Sequence, residues 1–242
     1  MAEGEILVLM GLSGSGKSTL LRAVNGLNPM VRGDTRVRMG DRMVGIASAD
    51  RETLRELRLR HVAMVFQQFG LLPWRTVLDN VILGMEIQGK PLKEARERAL
   101  PLLQRYGLAG FEHLYPSSLS GGMRQRAALL RTLLFDTDVI LLDEPFGALD
   151  AQTKSQMQEW LMQLWSDFRK TVVFVTHDVE EAIYLSDEIH VMGTRPGRIL
   201  ETIAIDVARP RPRTVTLTPE FTAIKERCLK LLTVAAPALE AA

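Results

Sequence analysis

The stretch "EILVLMGLSGSGKSTLLRAV", residues 5–24, joins an apolar run to a Gly/Ser-rich turn and then to a helical pattern. Its centre satisfies G-x-x-x-x-G-K-[ST], which between a strand and a helix is typical of a loop whose backbone N–H groups surround phosphates. An ordinary Gly/Ser-rich turn is the alternative. Lys17 is expected to reach the β- and γ-phosphate oxygens, and the Ser18 hydroxyl to hold Mg²⁺. The predicted phosphate-binding residues are Gly11, Ser13, Gly14, Ser15, Gly16, Lys17, Ser18 and Thr19.

The composition is that of an ordinary globular protein. The chain has 242 residues, of which 46% are hydrophobic and 24% charged, enough for one sizeable core or two closely joined lobes. A net charge of +1 provides no general attraction to nucleic acid or anionic membranes. The single cysteine, Cys228, excludes an internal disulfide framework and is expected to be inert. Since no apolar run approaches membrane-spanning length, we expect a cytosolic chain unless a partner holds it at a membrane.

Short apolar runs without polar alternation predict strands that are buried on both faces, and hence a largely parallel sheet covered by helices. They lie at 5–10, 61–66, 139–143, 171–175 and 188–192. Residues 75–135 read as successive helices, so we predict an inserted helical lobe there. With the phosphate loop, this pattern predicts an α/β fold of the P-loop NTPase type. The stretch "VARPRPR" is expected to be a solvated, extended connection before a last helix around 219–233.

Polar residues follow two of the predicted strands. Asp143 and Glu144 end the run "VILLDEP", and ligands of parallel sheets bind at the carboxyl ends of strands. Asp143 is therefore predicted to coordinate Mg²⁺ through water, and Glu144 to be the general base for the attacking water. His177 ends "FVTHD" and is placed to meet the γ-phosphate. Acidic turn formers and a capping or surface histidine are the alternatives.

The segment "YPSSLSGGMRQRAALLR", residues 115–131, begins a predicted helix with two glycines, which would normally weaken it. Apolar residues recur at helical spacing from Met123 onward, and Gln125 lies off that stripe. Ser120 is the predicted N-cap, and Gly121 and Gly122 leave the first backbone N–H groups uncovered, as an anion site would need. A capped helix after an ordinary turn is the other interpretation.

Taken in order, "GLSGSGKST", "VFQQ", "LSGGMRQR", "VILLDEP", "GALD" and "FVTHD" resemble the motifs of the nucleotide-binding subunit of an ABC transporter, over about residues 4–205. The resemblance implies ATP and Mg²⁺ as cofactors. It also implies that Gln67 joins the nucleotide site to the helical lobe and completes the metal set with Ser18 and Asp143. Asp150 would belong to a loop that crosses the dimer, and His177 would be the switch histidine.

The resemblance further implies that two subunits pack head to tail. Ser120, Gly121 and Gly122 would then close over the γ-phosphate of the ATP held by the other subunit. Other implied partners are integral membrane permease subunits and a periplasmic or extracellular solute-binding protein, without nucleic acid, at the cytoplasmic face of the inner membrane. Residues 1–242 would form one nucleotide-binding domain, comprising a core lobe (1–74 and 136–205), a helical lobe with the signature motif (75–135) and a tail (206–242).

Different parts of the chain resemble the ATPases of two different importer classes. Residues 115–213 are similar to the ATPases of nitrate, sulfonate and taurine importers, whereas residues 4–83 look more like those of choline and glycine betaine importers. Both classes import small polar or charged solutes. The loop "QQFGLLPWRTV", residues 67–77, carries apolar side chains that we expect to line a groove for a permease helix; packing between the two lobes is the alternative.

Three other classes compete with the transporter assignment. A soluble cassette protein of translation or DNA repair would carry two cassettes or a long coiled coil, and a small-molecule kinase would not need "LSGGMRQR". A non-enzymatic scaffold would lack the acidic metal ligand and the general base.

Relatives carry a segment ahead of "GEILVLM" with an aromatic ring that stacks on adenine, whereas the first aromatic residue here is Phe66. We therefore expect a fragment or a mis-assigned start, with ATP affinity lowered about five- to 150-fold.

Overall fold

The largest sheet of the computed structural model, which describes residues 1–194 and 196–235, has six strands. Two further strands, β2 and β3, form a separate hairpin. In chain order the eight strands of the described residues are β1 (Ile6–Gly11), β2 (Arg36–Met39), β3 (Arg42–Gly45), β4 (Val62–Val65), β5 (Val139–Asp143), β6 (Thr171–Thr176), β7 (Glu188–Gly193) and β8 (Arg198–Ala204). The sheet order is β4-β5-β6-β1-β7-β8, and only the β7–β8 pair is antiparallel. The predicted mainly parallel sheet is confirmed.

Nine helices lie in the described part of the chain. They are α1 (Lys17–Val24), α2 (Arg51–Glu56), α3 (Val77–Val81), α4 (Leu83–Ile87), α5 (Leu92–Arg105), α6 (Gly121–Leu134), α7 (Ala151–Phe168), α8 (Val179–Leu185) and α9 (Pro219–Ala235). A π-helical turn, Leu57–His61, precedes β4, and short 3₁₀ turns lie at Pro116–Ser118 and Arg213–Leu217.

Strand β1 explains why its sequence is a continuous apolar run. Val8 and Met10 belong to one buried cluster, which also contains residues of α7, α8 and α9. Leu9, which points to the opposite face, belongs to a second cluster that includes Leu21 of α1. Because both faces of the strand are covered, no position along its centre favours a polar side chain.

The strand register aligns the functional loops. Met10 of β1 lies opposite Thr176 of β6, and Asp143 of β5 lies opposite Val175 of β6. Parallel neighbours therefore end together, and the phosphate loop, Glu144 and His177 all leave the sheet at the same edge.

Between β4 and β5 the described residues form helices and no strand, as the sequence predicted for this region. Helices α3, α4 and α5 all pack on α6. Asn80 of α3 is fully buried, and its side-chain amide donates to the carbonyls of Leu72, Arg75 and Thr76. These bonds hold the loop after β4 against α3. The division of the chain into lobes at 74 and 136 stays a prediction.

Two elements were absent from the sequence-based prediction. The hairpin β2–β3 alternates exposed Arg36 and Arg38 with buried Val37 and Met39. Strand β8 is largely exposed and pairs with β7 at the edge of the sheet. Neither element is a continuous apolar run, because each is covered on one face only.

The prediction of a solvated "VARPRPR" connection is wrong. Arg211, in its centre, is only 6% exposed. Its guanidinium donates to carbonyl groups at the end of α8 and within the same segment: Ile183 (3.0 Å), Tyr184 (3.0 Å), Ser186 (2.7 Å) and Val207 (2.9 Å). The last carbonyls of a helix lack intrahelical partners, and a planar group with five donors can satisfy several at once. Burial accordingly lowers the pKa of Arg211 to about 10.

We expect Arg211→Met to lower the free energy of unfolding by about 3 kcal/mol, because buried carbonyl groups would lose a charged donor. Urea denaturation measures this change. Arg32→Met is the control, since Arg32 is exposed. A loss of less than about 1 kcal/mol would contradict a structural role for Arg211.

No helix in residues 1–194 and 196–235 is both long enough and apolar enough to cross a membrane.

Candidate nucleotide and metal site

The phosphate loop has the backbone conformation that its glycines permit. Gly14 and Gly16 have φ angles of +81° and +90°, in the left-handed region that favours glycine. Gly11 is required for a different reason, because a Cβ atom there would lie 2.6 Å from the carbonyl oxygen of Met192. The loop between β1 and α1 therefore tolerates few other side chains at these positions.

Lys17, the first residue of α1, turns back over the loop. Its Nζ donates to the carbonyl oxygens of Gly11 (2.8 Å) and Leu12 (3.0 Å). Burial lowers the pKa of Lys17, although the nearby carboxylates of Glu144 and Asp143 oppose this shift. The ammonium group thus lies close to the predicted general base and the predicted metal ligand, where it can bind a phosphate oxygen.

Asp143 and Ser18 are brought into direct contact. The Ser18 hydroxyl donates to one carboxylate oxygen of Asp143 at 2.7 Å, and Arg22 Nη2 lies 3.0 Å from the other. Asp143 is only 3% exposed. A hydroxyl beside a carboxylate at a phosphate loop is the oxygen donor set that Mg²⁺ takes together with phosphate groups, so these residues fit that ion.

Glu144 and His177 form a second pair at the same edge. Glu144 adopts φ +45°, and its backbone N–H donates to Val175 at the end of β6 (3.1 Å). Its Oε2 lies 3.3 Å from Nδ1 of His177. Non-glycine residues rarely adopt such a φ, and they do so most often at functional sites. The geometry places a carboxylate beside an imidazole, next to Asp143, the predicted metal ligand.

The segment around His177 is supported by an ion pair and hydrogen bonds that the sequence analysis did not predict. Asp178 caps α8 by accepting from the Glu181 N–H (3.0 Å). Its carboxylate also accepts from Lys154 Nζ of α7 at 2.7 Å. Burial raises the pKa of Glu181, whose carboxylate accepts hydrogen bonds from Thr176 and Gln158. The backbone on either side of His177 is therefore tied to α7.

The signature helix α6 begins where the sequence predicted. Ser120 is its N-cap, and the Ser120 hydroxyl accepts from the Met123 N–H at 3.3 Å. A Cβ atom at Gly122 would lie 3.1 Å from Thr153, and one at Gly121 would lie 3.5 Å from Leu149. The capped helix is thus a structural fact, and the anion-binding role of its first residues stays a prediction.

Gln67 and Asp150 are placed at the periphery. Gln67 is exposed two residues after β4, and the described contacts of Ser18 and Asp143 do not include it. Asp150 caps α7 by accepting from the Thr153 N–H at 2.9 Å, and hydrogen bonding from the Thr153 side chain and backbone lowers the pKa of Asp150. The roles of both residues remain predictions.

Sequence reasoning also missed the roles of Arg22 and Gln125, two further polar residues near the site. Arg22 is one helical turn after Ser18, so its spacing could have indicated that it shares the face towards Asp143. Gln125 was placed off the apolar stripe of α6, yet it is fully buried. Its Nε2 donates to the Pro145 carbonyl at 2.5 Å, directly after Glu144. No local pattern predicts that contact, because its partner lies 20 residues away.

The apolar loop after β4 is divided between surface and core. Trp74 is 71% exposed, and Phe66 ahead of it is 45% exposed. Leu71 instead packs against the main core, and Phe69 and Leu72 are partly buried. The exposed residues are available for the predicted permease contact, and that contact stays a prediction.

A mainly parallel sheet with a phosphate loop after its first strand and acidic residues after another strand defines a P-loop nucleoside triphosphatase. A sequence model of the ABC transporter family matches residues 1–147, and the chain belongs to that family. It is an ATP-binding cassette of the ATPase kind.

Relatives span most of the chain. An uncharacterized ABC transporter ATP-binding protein of Methanocaldococcus jannaschii is 46% identical, over 95% of this chain and 80% of the relative. The taurine import ATP-binding protein of Rhizobium johnstonii is 40% identical, over 95% and 85%. The glycine betaine/proline betaine transport ATP-binding protein of Escherichia coli is 44% identical over 91% of this chain, but the match spans only 56% of that relative.

Among solved structures, a dimeric ATP-binding cassette in a post-hydrolysis state, bound to ADP and Pi, has a TM-score of 0.72 and 33% sequence identity. The match covers 86% of this chain and 88% of that one.

Proposed function

We propose that this chain is the ATP-hydrolysing subunit of an ABC importer, that it dimerises head to tail and that it powers uptake of a small polar solute through separate membrane subunits. One observation supports the head-to-tail dimer. The nearest side chains to Gly121 and Gly122 are those of Leu149, just before α7, and Thr153, in its first turn, whereas the phosphate loop follows β1 in the middle of the sheet. A signature helix placed beside α7 is suited to receive the nucleotide of a second copy.

Within each site the residues have separate tasks. Lys17 and the loop N–H groups bind phosphate oxygens, and Glu144 accepts a proton from the attacking water. His177 contacts Glu144 and orients the γ-phosphate. Ser18, Asp143 and Gln67 would hold Mg²⁺, which when bound would neutralise charge on the phosphate oxygens.

Mixed dimers of two variants test the head-to-tail arrangement. Lys17→Ala removes the phosphate-binding amine, and Ser120→Arg fills the signature half-site. A dimer of one chain of each kind, isolated with two affinity tags, retains one intact site. That site combines the phosphate loop and Glu144 of the Ser120→Arg chain with the signature of the Lys17→Ala chain. ATPase activity should return in this dimer; activity no higher than in either parent would contradict the proposal.

Membrane subunits are the second class of partner. Trp74, Phe66 and the half-exposed Tyr115 present large apolar surface around the loop after β4. Exposed aromatic residues of this kind are typical of protein-binding surfaces. We infer that a cytoplasmic helix of the permease docks there, which would hold the chain peripherally at the cytoplasmic face of the inner membrane. A periplasmic or extracellular solute-binding protein would complete the system.

Trp74→Ser should weaken permease binding about tenfold or more, because buried tryptophans dominate interface energies. ATPase activity of the isolated chain should not change. Copurification with the permease subunits, followed by titration, measures the effect. Val31→Ser, at a 96% exposed residue elsewhere, is the matched control. Equal binding by the Trp74 variant would exclude this docking surface.

The solute class is proposed from the relatives. We assign a nitrate, sulfonate or taurine type, supported by the match to a taurine import protein over 85% of that relative. A choline or glycine betaine type is the alternative, supported by the 44% identity to the betaine transport protein. ATP-driven uptake of labelled taurine and labelled glycine betaine by proteoliposomes, loaded with the permease and each binding protein, distinguishes them. Uptake of neither, together with failure to bind a permease, would favour a soluble ABC-type ATPase.

A further inference from the structure

The catalytic turn that follows Asp143 depends on one long-range side-chain bond. Glu144 lies in a left-handed conformation, and the turn after it closes through the bond from Gly147 N–H to the Glu144 carbonyl (3.2 Å). Phe146 anchors the turn in the core, 5.8 Å from the ring of Phe174. Pro145 lies between Glu144 and Phe146, and its carbonyl accepts a hydrogen bond from the Gln125 amide of α6 at 2.5 Å.

Gln125 is a polar residue at a fully buried position. The side chain is 0% exposed, and its Oε1 has no hydrogen-bond partner among the described residues. An apolar side chain would avoid the free-energy cost of burying that unpaired carbonyl. The amide group therefore has value for its Nε2 bond to Pro145, which an apolar residue cannot make.

We propose that Gln125 is a positioning residue for the general base, and that its bond to Pro145 holds the strained Glu144 in the place required for proton abstraction. This inference rests on the proposed function. Gln125 lies one helical turn after Gly121. Helix α6 therefore carries both the signature, which contacts the nucleotide bound by the other subunit, and the Gln125 amide, which supports the general base of its own subunit. The head-to-tail dimer thus has a short covalent and hydrogen-bonded link between its two sites.

The informative variant is Gln125→Met, which keeps an unbranched side chain of similar length and removes both the donor and the unpaired carbonyl. The homodimer should retain its melting temperature and its KM for ATP, whereas kcat should fall roughly 10- to 100-fold, because small misplacements of catalytic groups have effects of that size. Gln104→Met, at an exposed glutamine of α5, is the control.

Mixed dimers separate positioning of Glu144 from support of the signature. In the dimer of Lys17→Ala with Ser120→Arg chains, the working Glu144 belongs to the Ser120→Arg chain. Adding Gln125→Met to that chain should lower kcat, and adding it to the Lys17→Ala chain should change kcat less than about twofold. If kcat falls only when Gln125→Met is added to the Lys17→Ala chain, Gln125 supports the signature and not Glu144. Equal losses in both chains would indicate general destabilisation, and no loss in either would exclude a role; each of these results overturns the proposal.

Hydrogen exchange tests the contact without a working dimer. In the single chain, Gln125→Met should speed amide exchange in residues 144–149 several-fold and leave the start of α6 unchanged, while Gln104→Met should alter neither. If the parent mixed dimer has no activity, the head-to-tail proposal fails, and this exchange measurement alone decides the positioning role. Unchanged exchange in 144–149 would then overturn it.

Discussion

Glu144→Gln should reduce ATP turnover by about 10² to 10⁴, the range that a general base typically contributes. Glutamine preserves the shape of the side chain but cannot accept the proton of the attacking water. ATP binding should persist, because Lys17 and the loop N–H groups are untouched. Steady-state ATPase assays and nucleotide-binding titrations measure the two quantities separately.

The matched control is Glu97→Gln, at an exposed acid of α5, which should leave turnover unchanged. His177 lies 3.3 Å from Glu144 and is the other group that could accept the proton. Turnover by Glu144→Gln within about threefold of the parent would therefore exclude Glu144 as the base.

Lys17→Ala should weaken ATP binding about 100-fold, equivalent to roughly 2.7 kcal/mol, because it removes a desolvated charge from the phosphate loop. The amine now rests on the carbonyls of Gly11 and Leu12, so the loop can change little when it is lost. Titration with a fluorescent ATP analogue gives the dissociation constant. Lys230→Ala, exposed on α9, should bind normally. A change of less than threefold for Lys17→Ala would contradict the assigned role.

The fold was predictable where both faces of an element are buried. Strands β1, β4, β5, β6 and β7 are short apolar runs, and their layout indicated a parallel sheet before any contact was known. The hairpin β2–β3 and the edge strand β8 escaped prediction, because one solvated face gives their sequences an alternating or mixed pattern. The Arg-Pro segment was misjudged for a related reason: three arginines suggest solvent, and only the backbone carbonyls at the end of α8, which lack intrahelical partners, explain why Arg211 is buried.

The candidate site was predictable where it follows strand ends. Asp143 ends the buried strand β5, and Glu144 and His177 come directly after β5 and β6; the ends of neighbouring parallel strands lie together. Among the residues that support them, only Arg22 has a spacing that could have indicated its role, one helical turn after Ser18. Gln125 and Lys154 were not predictable, because they act through partners that are distant in sequence or on another helix. Composition and periodicity describe a residue's own element, whereas these roles depend on the packing between elements.

The composite nucleotide site is the central claim, and the mass of the Glu144→Gln chain in ATP and Mg²⁺ tests it most directly. Light scattering should give about twice the 27.1 kDa of one chain, because ATP that is bound but not hydrolysed holds the two half-sites closed. Adding Ser120→Arg to the same chain should return the mass to that of a monomer while ATP still binds. A dimer that persists with Ser120→Arg, or a monomer in saturating ATP without it, would contradict the account.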